Sequence, residues 1–127
     1  MRRYAHRPHP RFLFIVRHAV GLTRDAPGFL DVVDGLAQED LSFHGEATAD
    51  WFDRRGVDHP APEDGPFSTA ELGARLRSGA ERRTPLFTID YALDPLSAER
   101  ARTTSRRFGF VPFVSRAALD RLPAAPR

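Results

Sequence analysis

Cysteine is absent from the 127 residues, lysine is absent too, and there is a single tryptophan and a single methionine. Without cysteine there is no disulfide framework and no thiolate chemistry, and the redox compartment is left open. Without lysine, all nineteen basic residues are arginine, which reads as a GC-rich coding bias. No apolar run approaches the roughly 18 residues that a bilayer span requires, so no membrane partner is expected. The opening stretch from Met1 to Pro10 is basic and contains proline. Phe12 to Val16 behind it is too short for the apolar core of a signal peptide. A nucleic-acid surface needs clustered basic residues interleaved with aromatics. Arg2, Arg3, Arg7 and Arg11 do cluster, but the other arginines alternate with acids and the net charge is only +2. That pattern is a solvated face, and no nucleic-acid partner is expected.

What remains is globular. The chain is 41% hydrophobic, enough for one domain or part of a larger one. Four short apolar runs each end abruptly in polar residues. Phe12 to Val16 leads into Arg17 and His18. Val32 to Ala37 leads into Gln38, Glu39 and Asp40, with Asp34 and Gly35 interrupting it. Leu86 to Ile89 leads into Asp90 and Tyr91, and Phe110 to Val114 leads into Ser115 and Arg116. Continuous runs rich in Val, Ile and Phe suit strands buried on both faces, as in a parallel sheet. Pro112 marks the fourth as an edge or irregular strand.

Helices fit between the runs. Ser68-Thr69-Ala70-Glu71 has the spacing of a capping box and predicts a helix after Ser68 that fades near Ser78 and Gly79, with Leu72 and Leu76 inward. Asp94-Pro95 reads as an N-cap followed by a first-turn proline. The stripe Ala101, Thr104, Ser105 and Phe108 continues that helix, and Gly109 is placed to stop it in a left-handed cap. A weak helix is expected over Ala26 to Leu30, and a last one from Ser115 to Leu122. Strand and helix thus alternate, as in a parallel α/β layer or barrel. The divisions expected are a basic segment 1–11, a partial barrel 12–122 and a tail 123–127.

One segment breaks the rhythm. Asp40 to Pro66 is long and polar, yet carries Phe43, Trp51, Phe52 and His59. Connections this long are usually functional or disordered. Trp51 beside charges suits either a sugar-stacking wall or an anchor to the body, since tryptophan joins an apolar ring to a polar edge. His44, His59 and nearby acids match no standard ligand spacing, so no metal is expected.

In a parallel barrel the loops after the C-terminal ends of the strands form the active site. Those ends carry His18, Glu39 with Asp40, and Asp90 with Tyr91. Singly, each acid reads as well as a cap or a surface charge. Together they bring ionisable groups from three successive strands to one rim.

The same segments resemble a known family. Val33 to Leu41 is similar to the "D-G-x-x-x-E-D/E" strand of the endo-α-1,4-polygalactosaminidases. Leu86 to Ala92 resembles their "V-x-x-V-D-Y" strand, and Arg106 to Val114 their "G-F-V-P-Y-V" strand, followed by Ala118-Leu119-Asp120. Ile15 to His18 stands where a preceding strand ends in Gln-Asn. The resemblance covers Phe12 to Leu122. It implies a (β/α)8 TIM barrel, of which this would be the C-terminal half, cleaving a cationic galactosamine polymer without cofactor. It implies Glu39 as a catalytic glutamate. Such hydrolysis uses two carboxyl groups, one on each side of the scissile bond, and Glu39 is assigned the general-acid role. His18, Asp40, Trp51, Asp90 and Tyr91 are the expected sugar-holding residues. The family also implies secretion.

Two departures follow. The family's aspartate in "D-G-x-x-x-D", on an earlier strand, has no counterpart here, and His18 replaces an asparagine. The chain is therefore expected to be incomplete, needing a missing N-terminal half or a second copy to close. A rival reading uses His18 as the nucleophile of a histidine phosphatase, from Arg17-His18 and the later Asp94-Pro95-Leu96-Ser97 and Arg102-Thr103-Thr104, although no second histidine follows His59. A third is a carbohydrate-binding relic without turnover.

Overall fold

A computed structural model describes residues 11–26, 28–45, 58–80 and 84–119. Within them run β1 (Ile15–Arg17), α1 (Val20–Asp25), a 3₁₀ turn (Phe29–Val32), β2 (Gly35–Glu39), β3 (Phe43–Gly45), β4 (Asp58–Pro60), α2 (Thr69–Ala80), β5 (Leu86–Tyr91), α3 (Pro95–Arg107) and β6 (Val111–Ser115). Four strands form one sheet in the order β1-β2-β5-β6, every pair parallel. β3 and β4 make a separate antiparallel pair. Parallel neighbours joined through helices are the βα repeat expected from the sequence, and the fold is α/β with the architecture of part of a (β/α) barrel.

Local chemistry explains the element ends. Asp94 caps α3, its carboxylate accepting from the backbone N–H of Leu96 at 2.9 Å and of Ser97 at 3.2 Å, with Pro95 at the first helical position. Gly109 closes the same helix at φ 83°. Its N–H donates to Arg106 O and that of Phe110 to Ser105 O, the paired bonds of a Schellman turn. Only half of the box before α2 forms. Ser68 Oγ accepts from Glu71 N–H at 3.3 Å, while the Glu71 carboxylate turns to Arg75 at 2.9 Å.

Several boundaries differ from the sequence reading. β2 begins at Gly35, because Asp34 is a tie and not a strand residue: its carboxylate accepts from Phe14 N–H at 2.9 Å. β2 also runs beyond the apolar run that ends at Ala37, and Gln38 and Glu39 are its last two residues. The weak helix expected over Ala26 to Leu30 is displaced into α1 and the 3₁₀ turn, since Gly28 adopts a left-handed φ of 91° between them. The segment after Ser115 makes a turn over 117–118, with no helix as far as residue 119. The long connection after β2 holds the β3–β4 pair, and Trp51 lies outside the described residues.

Side chains alternate across a strand, and here the two faces have different fates. One face carries Leu36, Leu86, Thr88 and Val114 under α2 and α3, packed with Leu72, Leu76, Ala98 and Ala101. Thr88 Oγ1 donates to Ser105 Oγ at 2.7 Å inside that layer. The other face carries Ile15, Phe87, Ile89, Val111 and Phe113, in register across the sheet, and stays open, with Val111 55% exposed. Among the described residues β1 and β6 are the two edges of the sheet. Pro112 sits in β6, on an edge as expected.

Candidate functional site

The three strand ends that the sequence singled out do meet at one rim. Glu39 closes β2 and is buried, 8% exposed. Arg17, the last residue of β1, places Nη1 2.5 Å from Glu39 Oε1. His18 follows, with Nε2 3.3 Å from Glu39 Oε2. Tyr91, the last residue of β5 and also buried, stands beside Glu39. Burial pushes the Tyr91 phenol up to about 12, with the Glu39 charge acting in the same direction. Tyr91 is therefore a fixed donor at any ordinary pH. Glu39 thus meets Arg17 with one carboxylate oxygen and His18 with the other.

Backbone geometry sharpens the rim. His18 and Asp40 both have left-handed φ, at 55° and 56°. Among residues with a Cβ, His and Asp are among those that tolerate this region, and such strain collects at functional sites. Each turn is pinned. His18 N–H donates to Ala37 O at 3.0 Å and Asp40 N–H to Ile89 O at 2.9 Å. Asp40 Oδ2 lies 3.6 Å from His44 Nδ1 on β3. Gly45 lets the same strand lie on Tyr91, for a Cβ there would come within 2.5 Å of Tyr91 Cβ.

Asp90 is placed differently from the sugar-holding role expected of it. It is fully buried, and Oδ1 accepts from Ser42 N–H at 2.5 Å and Phe43 N–H at 3.0 Å. It holds the turn that follows β2 and does not face the rim. Desolvation raises its carboxyl above the usual range, against the lowering effect of those two backbone donors. Asp90 Oδ2 and Ser42 Oγ are buried, and neither has a hydrogen-bond partner among the described residues.

Of the expected site residues, the structure thus joins Glu39, His18 and Tyr91, sets Asp40 beside His44, and puts Asp90 beneath the turn. Arg17 was missed as a site residue, although it begins the Arg17-His18 pair; only the β1–β2 register shows that it reaches Glu39. Among the described residues no three His, Asp or Glu side chains are grouped to hold a metal ion. The phosphatase reading loses its geometry. Arg102 and Thr104 belong to α3, which packs on β5 and β6, whereas His18 leaves β1 at the far edge of the sheet.

Comparisons with known proteins bear on the fold and its class. No family model matches the chain. It is 28% identical over 119 residues to an uncharacterized protein of Deinococcus radiodurans, covering 94% of this chain and 34% of that protein. In fold and sequence the chain is glycoside hydrolase-like. The solved structure that shows this is the glycoside hydrolase domain of PelA from Pseudomonas aeruginosa, with a TM-score of 0.62 and 28% identity over 94% of this chain and 44% of that one. The chain spans about a third of the first protein and less than half of the second.

Proposed function

We propose that this chain carries one catalytic carboxyl group of an endo-acting glycosidase, that the group is Glu39, and that the substrate is a galactosamine-containing polysaccharide. The observation that carries the reading is Glu39 at the C-terminal end of β2, gripped by Arg17 and His18 with Tyr91 beside it. The likeness to the PelA glycoside hydrolase domain supports the class of reaction, and the motif resemblance around Glu39 and Asp90 supports the substrate.

The donors bear on the role. Glu39 Oε1 accepts a hydrogen bond from Arg17, and Glu39 is one of the two carboxyl groups that flank the scissile bond, as the general acid or as the group that attacks the anomeric carbon or draws a proton from water. Arg17 fixes one of its oxygens, and His18, half exposed beside the other, serves to contact the sugar. Asp40 adds negative charge at the same rim, which favours a substrate bearing ammonium groups. The second carboxyl group belongs, in this reading, to a strand pairing with a free edge of the sheet, in a longer polypeptide or a second copy.

The test is release of new reducing ends from a partly deacetylated α-1,4-galactosamine polymer. Glu39→Gln should lower turnover by about 10²–10⁴-fold, the usual worth of such a group. Unchanged cleavage in that variant would remove Glu39 from the chemistry. Binding of galactosamine oligomers with no cleavage by the unsubstituted chain would favour the non-catalytic carbohydrate-binding reading.

A further inference from the structure

A second feature lies on the opposite side of the sheet from Glu39. A cavity of about 600 Å³ opens between α2 and α3, under the β3–β4 pair. Arg77 enters it from α2, and Arg100 and Arg107 from α3. Arg100, Thr104 and Arg107 follow one another at helical spacing, so α3 presents one face to it. Among the described residues no carboxylate pairs with these three arginines, whereas Arg17, Arg24, Arg75 and Arg102 each have one. One acid, Glu63, also lines the cavity, leaving the positive charge in excess.

Two of the arginines are braced. The Arg77 guanidinium stands 5.4 Å from the Phe108 ring centre, and that of Arg100 stands 5.9 Å from Phe43. Both rings line the same cavity, and Phe108 is itself stacked on Phe110 with centroids 5.5 Å apart. A guanidinium laid on an aromatic face loses less freedom when it binds, and its N–H edge stays available for oxyanions. An unpaired surface arginine usually waves in solvent. Here the helices and rings hold cations around a concave space, and closure of a barrel on the open face of the sheet would leave this outer groove untouched.

We infer that the groove between α2 and α3 is a binding site for an anionic ligand carrying carboxylate or phosphoryl groups, held by Arg77, Arg100 and Arg107. The site is separate from Glu39 and does not rest on the glycosidase reading.

The experiment is calorimetric titration of the full chain at low ionic strength with inorganic pyrophosphate and, separately, citrate. Saturable binding of one equivalent is expected, weakened about tenfold or more by Arg100→Gln or Arg107→Gln, as loss of a charge-assisted contact requires. Arg24→Gln should bind as the unsubstituted chain does. Tighter binding of pyrophosphate assigns phosphoryl groups, and tighter binding of citrate assigns carboxylates. Far-UV circular dichroism identifies any variant that has lost its fold, and Arg107→Gln, at the exposed end of α3, serves where Arg100→Gln does so. No saturable heat with either anion, or equal weakening by Arg24→Gln, would overturn the site.

Discussion

Asp90 illustrates how far one buried carboxyl group reaches. It comes from β5, yet the two N–H groups it accepts belong to the turn 47 and 48 residues earlier, the turn that follows Glu39. Asp90→Ala would leave those donors buried and unmatched, at a cost of about 2 kcal/mol or more. Asp90→Asn keeps an acceptor oxygen and removes the buried charge, so it should be tolerated much better. The pH dependence follows from the direction of the shift. Folding raises the Asp90 carboxyl above its ordinary 3.8, so the native state holds its proton more tightly than the unfolded chain. Its ionisation costs stability above the folded value, and that cost is relieved as pH falls toward the unfolded value. Urea midpoints of the unsubstituted chain should therefore rise relative to Asp90→Asn between pH 7 and pH 4. A constant difference would mean that Asp90 is not desolvated.

Among the elements, α2 and α3 are joined by a contact that only a glycine allows. A Cβ at Gly73 would lie within 2.5 to 2.8 Å of three atoms of the Phe108 ring. On an isolated helix Gly73→Ala should stabilise by nearly 1 kcal/mol. Here the overlap should reverse the sign and leave a net loss of about 1–2 kcal/mol, the scale of overpacking. Thermal unfolding checks it, and a rise in Tm would show that the ring moves aside freely. The same ring braces Arg77, so the variant should also weaken anion binding. The helix caps were legible beforehand: Asp94-Pro95 and Gly109 act on the backbone within one turn of themselves. The starts of β2 and α1 were not, because Asp34 is spent on Phe14, twenty residues away, and a run of apolar residues does not say where its pairing begins.

The whole molecule is asymmetric. Among the described residues, one face of the sheet is covered by helices, while the other presents Ile15, Val111 and Phe113 to solvent between two edges with no strand partner. Open edges and exposed apolar faces drive association. Sedimentation velocity at rising concentration, up to about 10⁻⁴ M, a range in which exposed edges make chains self-associate, should show growth in mass, reduced by Val111→Lys on β6. A monomer at every concentration would mean that this face is covered in solution by the chain itself.

The alternation of strands and helices, the caps of α3 and the gathering of polar groups at strand ends were determined by the sequence alone, because period and capping are short-range effects. Which of those polar groups became neighbours was decided only by tertiary structure. Arg17 reaches Glu39 across 22 residues and Asp90 reaches Ser42 across 48, and such pairs depend on strand order and register. A parallel sheet puts β1 beside β2 and β2 beside β5, so the ends of the three strands lie side by side. The pleat then sends Glu39 and Tyr91 to the open face and Asp90 to the buried one, a choice of side that rests on a single residue of register.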